Sequence, residues 1–160
     1  MLRPVIEADR PTLLDLWVAA WEPVLPDIDF AARRDWFDTY LRALEAGGAV
    51  TLVAALATPA GFINYHPATG YIDQIAVGLP WQGQGIARAL LDAAKQACPQ
   101  GLSLKVNQQN PRALRFYQRE GFVVTGEGVG AVSGMALWEM EWDGTPPGPR
   151  ISSASSRGGD

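Results

Sequence analysis

Apolar residues recur at the three- and four-residue spacing of amphipathic helices in four segments of the chain. The four stripes are Leu14, Trp17, Val18 and Trp21; Phe37, Tyr40, Leu41 and Leu44; Ile86, Leu90, Leu91 and Ala94; and Ala113, Phe116 and Tyr117. Each stripe is followed by a residue that ends helices, namely Pro23, Gly47, Pro99 and Gly121. The pattern therefore predicts four helices, the first capped by Asp9 and the fourth starting at Asn110 and Pro111.

Stretches rich in apolar and β-branched residues separate these helices and predict strands. They cover residues 5–6, 49–57, 60–65, 71–77, 102–106, 122–125 and 135–142. Thr58 and Pro59 supply the turn of a hairpin between the second and third stretches. The strand at 71–77, the helix after it and the strand at 102–106 form a β-loop-α-β unit with parallel strands and a right-handed crossover. We therefore predict a mixed α/β fold of about seven strands and about four helices.

Composition indicates one folded domain and little affinity for nucleic acid. The chain has 160 residues, 48% of them hydrophobic and 19% charged, which is sufficient for a single core. We expect this domain to cover residues 1–143, and we expect the Pro-, Gly- and Ser-rich residues 144–160 to be a disordered tail. The net charge of −4 lacks the basic surface that binds phosphates, so no nucleic-acid partner is expected.

The single cysteine and the hydropathy pattern predict a cytoplasmic protein. Cys98 cannot form an intramolecular disulfide, and no apolar run reaches the roughly 20 residues needed to span a bilayer, so we expect no membrane partner. Cys98 is interpreted as a small buried residue rather than a nucleophile, because His66, the only histidine, has no visible link to it. No cluster of His, Cys and carboxylates has metal-ligand spacing, so no metal is predicted.

The most informative stretch is the loop Gln82, Gly83, Gln84, Gly85, Ile86 and Ala87, which lies between a strand and a helix. Glycines there allow backbone N–H groups to converge beside a helix N-terminus, which is an arrangement that binds a pyrophosphate. A connecting turn without a ligand is the alternative. A Walker-type loop is excluded because no lysine follows Gly85, and a dinucleotide fingerprint is excluded because its third glycine is missing.

Two motifs give this chain a family resemblance. The loop is similar to the GNAT superfamily signature Gln/Arg-x-x-Gly-x-Gly/Ala, at Gln82, Gly85 and Ala87. The later segment is similar to the second GNAT motif, Asn-x-x-Ala-x-x-Phe-Tyr-x-x-x-Gly-Phe, at Asn110, Ala113, Phe116, Tyr117, Gly121 and Phe122. The resemblance covers residues 71–122 and implies an acetyl-CoA-dependent N-acetyltransferase.

The resemblance also implies roles for single residues. Backbone amides from Gln82 through Ala87 would hold the pyrophosphate, and the backbone of Ala76 and Val77 would contact the pantetheine arm and the thioester carbonyl. Asn110 would contact the pantetheine, although it also fits a helix cap. Tyr117 would protonate the leaving thiolate, although its position also fits a core aromatic. The strands around Val77 and Val106 would splay apart to admit the pantetheine.

The general base and the acceptor are less defined. Asp73 precedes Ile75 and Val77 by two and four residues, which by strand alternation places it on their face, as a base, a base acting through water or an attractor of a cationic amine. Aromatic residues at helical spacing are more typical of a core. The alternative is that they line a substrate pocket, and the residues concerned are Trp17, Trp21, Tyr40 and Trp81.

The predicted reaction is direct transfer of acetyl from acetyl-CoA to a primary amine of a small molecule or peptide. A ping-pong route through Cys98 is disfavoured. The alternative function is a sensor domain that binds acyl-CoA without turnover. The sequence does not decide whether the protein forms a homodimer.

Overall fold

A computed structural model describes residues 1–130 and 133–145 of the chain. Their Cα positions divide the chain into two compact units, one covering residues 1–99 and the other beginning at Gln100. The predicted boundary of one domain at residue 143 stays a prediction, and most of the predicted tail lies outside the described residues.

The first unit contains four antiparallel strands in the order β1-β2-β3-β4. They are β1 (Leu2–Pro4), β2 (Val50–Ala55), β3 (Pro59–His66) and β4 (Tyr71–Val77). Its helices are α1 (Arg10–Trp21), α2 (Arg34–Ala46) and α3 (Ile86–Ala97). Helix α1 packs on α2, β3 and β4, whereas α3 packs on β2, β3 and β4.

Apolar side chains from all three helices form the core of this unit. Leu13, Phe37, Leu41, Phe62, Leu90 and Leu91 are fully buried. The Trp17 ring stacks on Phe37 at a centroid distance of 4.3 Å, which joins α1 to α2. The burial of Phe37, Leu41, Leu90 and Leu91 confirms the helical stripes predicted for α2 and α3.

The second unit contains three antiparallel strands in the order β5-β7-β6 and one helix. These are β5 (Leu102–Asn107), α4 (Pro111–Arg119), β6 (Val123–Val129) and β7 (Ala136–Trp142). Leu104, Val106, Phe122 and Met140 supply its buried apolar side chains. Asn110 caps α4 as predicted, because its Oδ1 accepts a hydrogen bond from the Ala113 amide at 3.2 Å.

The N-terminal segment differs from the prediction. The first strand covers residues 2–4 rather than 5–6. Asp9 stands before α1 but makes no side-chain cap. Its carboxylate instead accepts hydrogen bonds from the guanidinium of Arg3 and from the amide of Ile6, two residues that precede Asp9 in the sequence. The ion pair with Arg3 therefore replaces the predicted cap.

Membrane-spanning helices and groups of metal-ligating side chains are both absent from the described residues. No helix in residues 1–130 and 133–145 combines the length and apolar character required to cross a membrane. Within the same residues, no three or more His, Cys, Asp and Glu side chains form a group suited to holding a metal ion.

Candidate active site

The loop after β4 turns through two left-handed glycines into α3. Gly83 and Gly85 have φ angles of +79° and +82°, values that L side chains rarely adopt. Gly85 stands at the N-cap of α3 and provides no side chain to cap the helix. An added Cβ at either glycine would meet no atom within 4 Å, so the space above the loop is open. The glycines are required here for backbone conformation and approach, and no packing contact demands them.

Most amides of this loop have no acceptor among the described residues; the exception is Gln82, whose N–H donates to the Leu79 carbonyl at 3.3 Å. Among the described residues, the N–H groups of residues 83–87 have no hydrogen-bond acceptor, and the first bond of the helix runs from Ala89 N–H to the Gly85 carbonyl. Five consecutive donors are thus available beside the positive end of a helix dipole. This arrangement fits a multiply charged anion such as a pyrophosphate.

The side chain of Gln82 ties the loop to the end of β4. Its Nε2 donates to the Val77 carbonyl oxygen at 3.2 Å, which leaves one lone pair of that oxygen for another donor. Gly78 then donates its N–H to the Ala60 carbonyl at 2.8 Å. Ala76 is buried and Val77 is half-buried. The backbone at this end of β4 is therefore held rigidly by the neighbouring strand and by the loop itself.

Asp73 lies at a β-bulge, and this corrects its predicted orientation. Asn64 of β3 pairs with Gln74 and Tyr65 pairs with Ile72, so Asp73 is the extra residue of β4. A bulge interrupts strand alternation and redirects a side chain. The prediction that Asp73 shares the face of Ile75 and Val77 is therefore wrong.

The carboxylate of Asp73 instead faces α2. Tyr40 of that helix donates its hydroxyl to Asp73 Oδ2 at 2.7 Å, and Gln74 donates its Nε2 to Oδ1 at 3.0 Å. Phe37 lies one turn before Tyr40, and its ring centroid is 6.4 Å from that of Phe62 in β3. Phe62 pairs directly with Ala76, so Ala76, and not Ile75 or Val77, shares the α2 side of the sheet. Asp73 has been brought to that side.

Two aromatic rings of α2 extend from Asp73 toward solvent. The rings of Trp36 and Tyr40 stack at a centroid distance of 5.1 Å and an interplanar angle of 13°. Trp36 is 46% exposed, whereas Tyr40 is half-buried. Burial, and then the hydrogen bond to Asp73, raises the pKa of the Tyr40 phenol, so its hydroxyl stays a donor at neutral pH.

In the second unit, Asn110 caps α4 with its side-chain oxygen, and the N–H donors of its side-chain amide stay available for a ligand. Its Oδ1 is used by the cap, and its Nδ2 has no hydrogen-bond partner among the described residues. The residue is half-buried. Both roles considered for Asn110 are therefore compatible, because the cap uses one end of the amide and a ligand can use the other.

Tyr117 of α4 is buried and surrounded by aromatic rings. It makes edge-to-face contacts with Phe116 at 5.2 Å and Phe122 at 5.6 Å. Its hydroxyl has no hydrogen-bond partner in the part of the chain that the structure describes. Burial raises the pKa of this phenol, so it stays protonated across the neutral range. The residue is at once a core aromatic and an available proton donor.

Cys98 and His66 take structural positions. Burial raises the pKa of the Cys98 thiol, whose sulfur lies 3.8 Å from the Pro67 carbonyl oxygen. His66 is half-buried at the end of β3, where its Nδ1 accepts from the Ala68 amide and its Nε2 lies 2.9 Å from the Gly47 carbonyl oxygen. These contacts use both ring nitrogens in local structure.

The aromatic residues considered as a substrate wall have different environments. Trp17 is buried in the core, as the spacing favoured. Trp21 is half-buried and stacks on Phe30 at 5.9 Å, and half-buried Trp81 lies against Gly78. Tyr40 alone of the four contacts a predicted site residue among the residues described.

A family model described as an acetyltransferase (GNAT) domain matches residues 33–143, which include both motifs and Asp73. The chain belongs to the GNAT acetyltransferase family. The predicted acyltransferase class is thereby confirmed for the family to which the chain belongs.

Known proteins similar to the chain agree with this assignment. The Salmonella typhimurium protein named peptidyl-lysine N-acetyltransferase YjaB is 39% identical over 69 residues, which are 42% of this chain and 45% of that protein. The match thus spans less than half of the relative's length.

Solved structures show the same fold. The apo-form of Escherichia coli YjaB has a TM-score of 0.72 at 23% identity, covering 91% of this chain and 98% of that one. The Thermoplasma acidophilum PaiA N-acetyltransferase in complex with coenzyme A has a TM-score of 0.73 at 19% identity, covering 89% and 98%. These likenesses confirm the predicted mixed α/β fold of seven strands and four helices.

The individual site roles stay predictions. The structure brings the loop amides, Gln82 and the end of β4 together in the first unit, and it describes Asn110 and Tyr117 in the second. Sequence reasoning missed the tether from Gln82, the bulge at Asp73 and the position of Trp36. The four-residue spacing of Trp36 and Tyr40 was a visible signal, but it pointed equally to a core.

Proposed function

We propose that the chain transfers the acetyl group of acetyl-CoA directly to a primary amine of a small molecule or peptide. The observation that carries this proposal is the run of five amides at residues 83–87, which include two left-handed glycines and have no acceptor among the described residues. Membership of the GNAT family and the coenzyme A held by the similar PaiA structure support the same conclusion.

The residues present fit acetyl-CoA, which supplies an acetyl group activated as a thioester. The amides of residues 83–87 would hold its pyrophosphate by charge-assisted hydrogen bonds. Backbone groups of Ala76 and Val77 would contact the pantetheine arm and the thioester carbonyl, and Asn110 Nδ2 would donate to the arm. The donors of this cradle are backbone N–H groups.

The protein's part in the reaction is to position the amine and to move protons. The amine arrives as an ammonium ion beside Asp73 and loses one proton, to Asp73 directly or through water, before its nitrogen bonds to the acetyl carbon. A second proton passes from that nitrogen to water as the C–S bond breaks, and Tyr117 gives its own proton to the departing sulfur. The products are an acetamide and CoA, with Tyr117 reprotonated from solvent.

A ping-pong route through Cys98 is not favoured by the environment of its sulfur. Burial raises the pKa of the Cys98 thiol, and the thiolate is the nucleophilic form. Among the described residues, no cation lowers the pKa of this thiol, whereas catalytic cysteines are activated by such neighbours. Direct transfer requires no such group.

The acceptor is proposed to be cationic at neutral pH. The relative named a peptidyl-lysine N-acetyltransferase supports a primary amine, and the net charge of −4 is compatible with a positively charged substrate. The same properties fit the side-chain amine of a peptide lysine and small alkyl amines.

Calorimetry with CoA tests the cofactor site. Gly85→Val places a β-branched residue at a φ of +82° and a Cβ in the open space, so CoA affinity should fall at least about tenfold. Gly134→Val is the matched control, because Gly134 has a φ of +70° and equally open surroundings. Unchanged CoA affinity in a folded Gly85→Val protein would reject the loop as the pyrophosphate site.

CoA release decides between the enzyme and the sensor. Free thiol should appear when acetyl-CoA is incubated with a panel of peptide amines, polyamines and aminoglycosides. A protein that binds CoA but releases none with any acceptor would support the non-catalytic sensor instead.

A further inference from the structure

Trp36, Tyr40 and Asp73 form a continuous set of side chains that we name the acceptor cluster. The indole of Trp36 is 46% exposed, the ring of Tyr40 stacks on it at 5.1 Å, and the Tyr40 hydroxyl lies 2.7 Å from the Asp73 carboxylate. The cluster thus leads from solvent, across two aromatic faces, to a negative charge on β4.

We propose that the acceptor cluster recognises a primary ammonium group at the end of an apolar stem, with the ammonium on Asp73 and the stem along Trp36 and Tyr40. This inference rests on the proposed function and adds to it the substrate class and the residues that select it. Lysine side chains, linear diamines and simple alkyl amines have this chemistry.

The charge of Asp73 is the first support. Its two partners, Tyr40 and Gln74, are neutral donors, and no arginine or lysine of the described residues forms an ion pair with it. Asp9 and Glu45, by contrast, are each paired with an arginine at 2.6 to 2.7 Å. Asp73 is therefore a fixed carboxylate whose charge the described protein leaves uncompensated, and a cationic ligand satisfies it.

The bulge is the second support. Strict alternation would direct Asp73 to the other side of the sheet, and the extra residue turns it to Tyr40. Bulges of this kind re-aim side chains next to active sites. The Tyr40 hydroxyl fixes the carboxylate in that direction, so Tyr40 acts as a positioning residue and as a ring face.

The stacked rings are the third support. An ammonium ion and its adjacent methylene groups bind aromatic faces by cation–π and apolar contact. The α-amine of a free amino acid has a carboxylate two bonds away, which Asp73 would repel. The cluster consequently favours an amine remote from any negative charge.

The position of Asp73 along β4 is also consistent with an amine site. Asp73 precedes Val77 by four residues, about 13 Å along the strand at the usual rise per residue. The pyrophosphate and the thioester of acetyl-CoA lie at opposite ends of the pantetheine arm. Ala76 and Val77, whose backbone is proposed to contact the arm and the thioester carbonyl, lie between Asp73 and the phosphate loop, which is the order that this molecule requires.

Binding of n-butylammonium to the CoA-loaded protein tests the inference without turnover. Calorimetry should detect n-butylammonium but not n-butanol, which has the same stem and no charge. Affinity should fall about 10-fold or more in Asp73→Asn and about 2- to 5-fold in Tyr40→Phe and Trp36→Leu. Tyr65→Phe and Asp35→Asn are matched controls, which remove a hydroxyl from the adjacent strand β3 and a charge from the same helix.

Steady-state kinetics with saturating acetyl-CoA provide the second readout. For n-butylamine, the three cluster variants should raise KM by the same factors, and glycine should be a much poorer acceptor than n-butylamine. A merely structural role of Tyr40 would lower the melting temperature without changing KM. If Asp73→Asn does not fold, Tyr40→Phe and Trp36→Leu decide.

Failure of the inference differs from failure of the proposed function. Equal binding of n-butanol and n-butylammonium, or unchanged affinity in all the folded cluster variants, overturns the inference even if the protein acetylates amines. Charge-dependent binding that the cluster variants weaken supports it, even if no CoA is released.

Discussion

The Tyr117 side chain is buried, and its hydroxyl has no hydrogen-bond partner in the described chain. Burial raises the pKa of the phenol, which keeps the proton in place but makes it harder to donate. If Tyr117 is the proposed acid, a thiolate formed beside it is also poorly solvated, which raises the proton affinity of the sulfur. Transfer from tyrosine to sulfur would then depend on the two groups sharing one desolvated environment.

Replacement of Tyr117 by phenylalanine should separate catalysis from cofactor binding. The ring contacts with Phe116 and Phe122 are retained, so CoA should bind with unchanged affinity in calorimetry. The value of kcat should fall roughly 100-fold, the low end of general acid catalysis, because a thiolate is already a fair leaving group. Single-turnover rates ensure that chemistry is measured rather than product release. An unchanged kcat would remove Tyr117 from the mechanism, and lost CoA binding would assign it to the cofactor pocket.

At the scale of elements, a polar network joins both N-terminal helices to the sheet. Arg10 of α1 donates two hydrogen bonds to Glu45 of α2, at 2.9 and 2.6 Å. Thr51 of β2 donates to the same carboxylate at 2.6 Å, and Asn64 of β3 donates to Thr51 at 3.0 Å. Because α2 also carries Tyr40, this network fixes the helix from which the acceptor cluster is built.

Loss of Arg10 should destabilise the protein more than loss of a surface arginine. Arg10→Met keeps the apolar stem but leaves Glu45 without its cation, at a cost of about 2 to 3 kcal/mol in unfolding free energy. Arg34→Met is the control, since Arg34 pairs with the largely exposed Asp15 and should contribute less than about 1 kcal/mol. Urea denaturation at pH 7 measures both. Equal effects of the two variants would show that the network adds nothing beyond a surface pair.

The difference in unfolding free energy between the wild type and Arg10→Met should depend on pH in a defined direction. Burial tends to raise the pKa of Glu45, but the hydrogen bonds from Arg10 and Thr51 outweigh it and leave the pKa lowered. A lowered folded-state pKa contributes stability that is fully present above the unfolded value, about 4.3 for glutamate, and is lost as pH falls through the folded value. The stability gap between the wild type and Arg10→Met should therefore be constant near neutral pH and narrow below about pH 4.

The elements show which features the sequence could predict. The start of α4 was predictable because Asn110 and Pro111 act on their own helix within one turn. The orientation of Asp73 was not, because a bulge is a property of two paired strands and depends on the register of β3. The pairing of Asp9 with Arg3 likewise depends on where β1 ends. The feature that depends on neighbouring residues of one helix was predicted correctly. The wrong predictions concern side chains whose partners lie on another strand.

At the scale of the whole molecule, the predicted site residues are distributed over two compact units. The loop amides, Gln82 and Asp73 belong to the first, and Asn110 and Tyr117 belong to the second. The order of the two motifs in the sequence was sufficient to predict the family, which depends on residue identity and spacing. The acceptor depends on side chains of α2, which neither motif contains, and the sequence therefore left it open.

Removal of residues 146–160 should leave both folding and cofactor affinity unchanged. The segment is rich in Pro, Gly and Ser, and Ile151 is its only large aliphatic residue, so it can bury little apolar surface. The cut belongs after Thr145, because the Trp142 indole N–H donates to the Thr145 carbonyl at 2.9 Å. A second variant that ends at Gly144 deletes this acceptor and should lose about 0.5 to 1.5 kcal/mol, or a few degrees in melting temperature. Thermal unfolding and CoA calorimetry on the two truncated chains and the full chain measure these effects. A large fall in melting temperature already in the chain that ends at Thr145 would show that the removed residues pack against the fold.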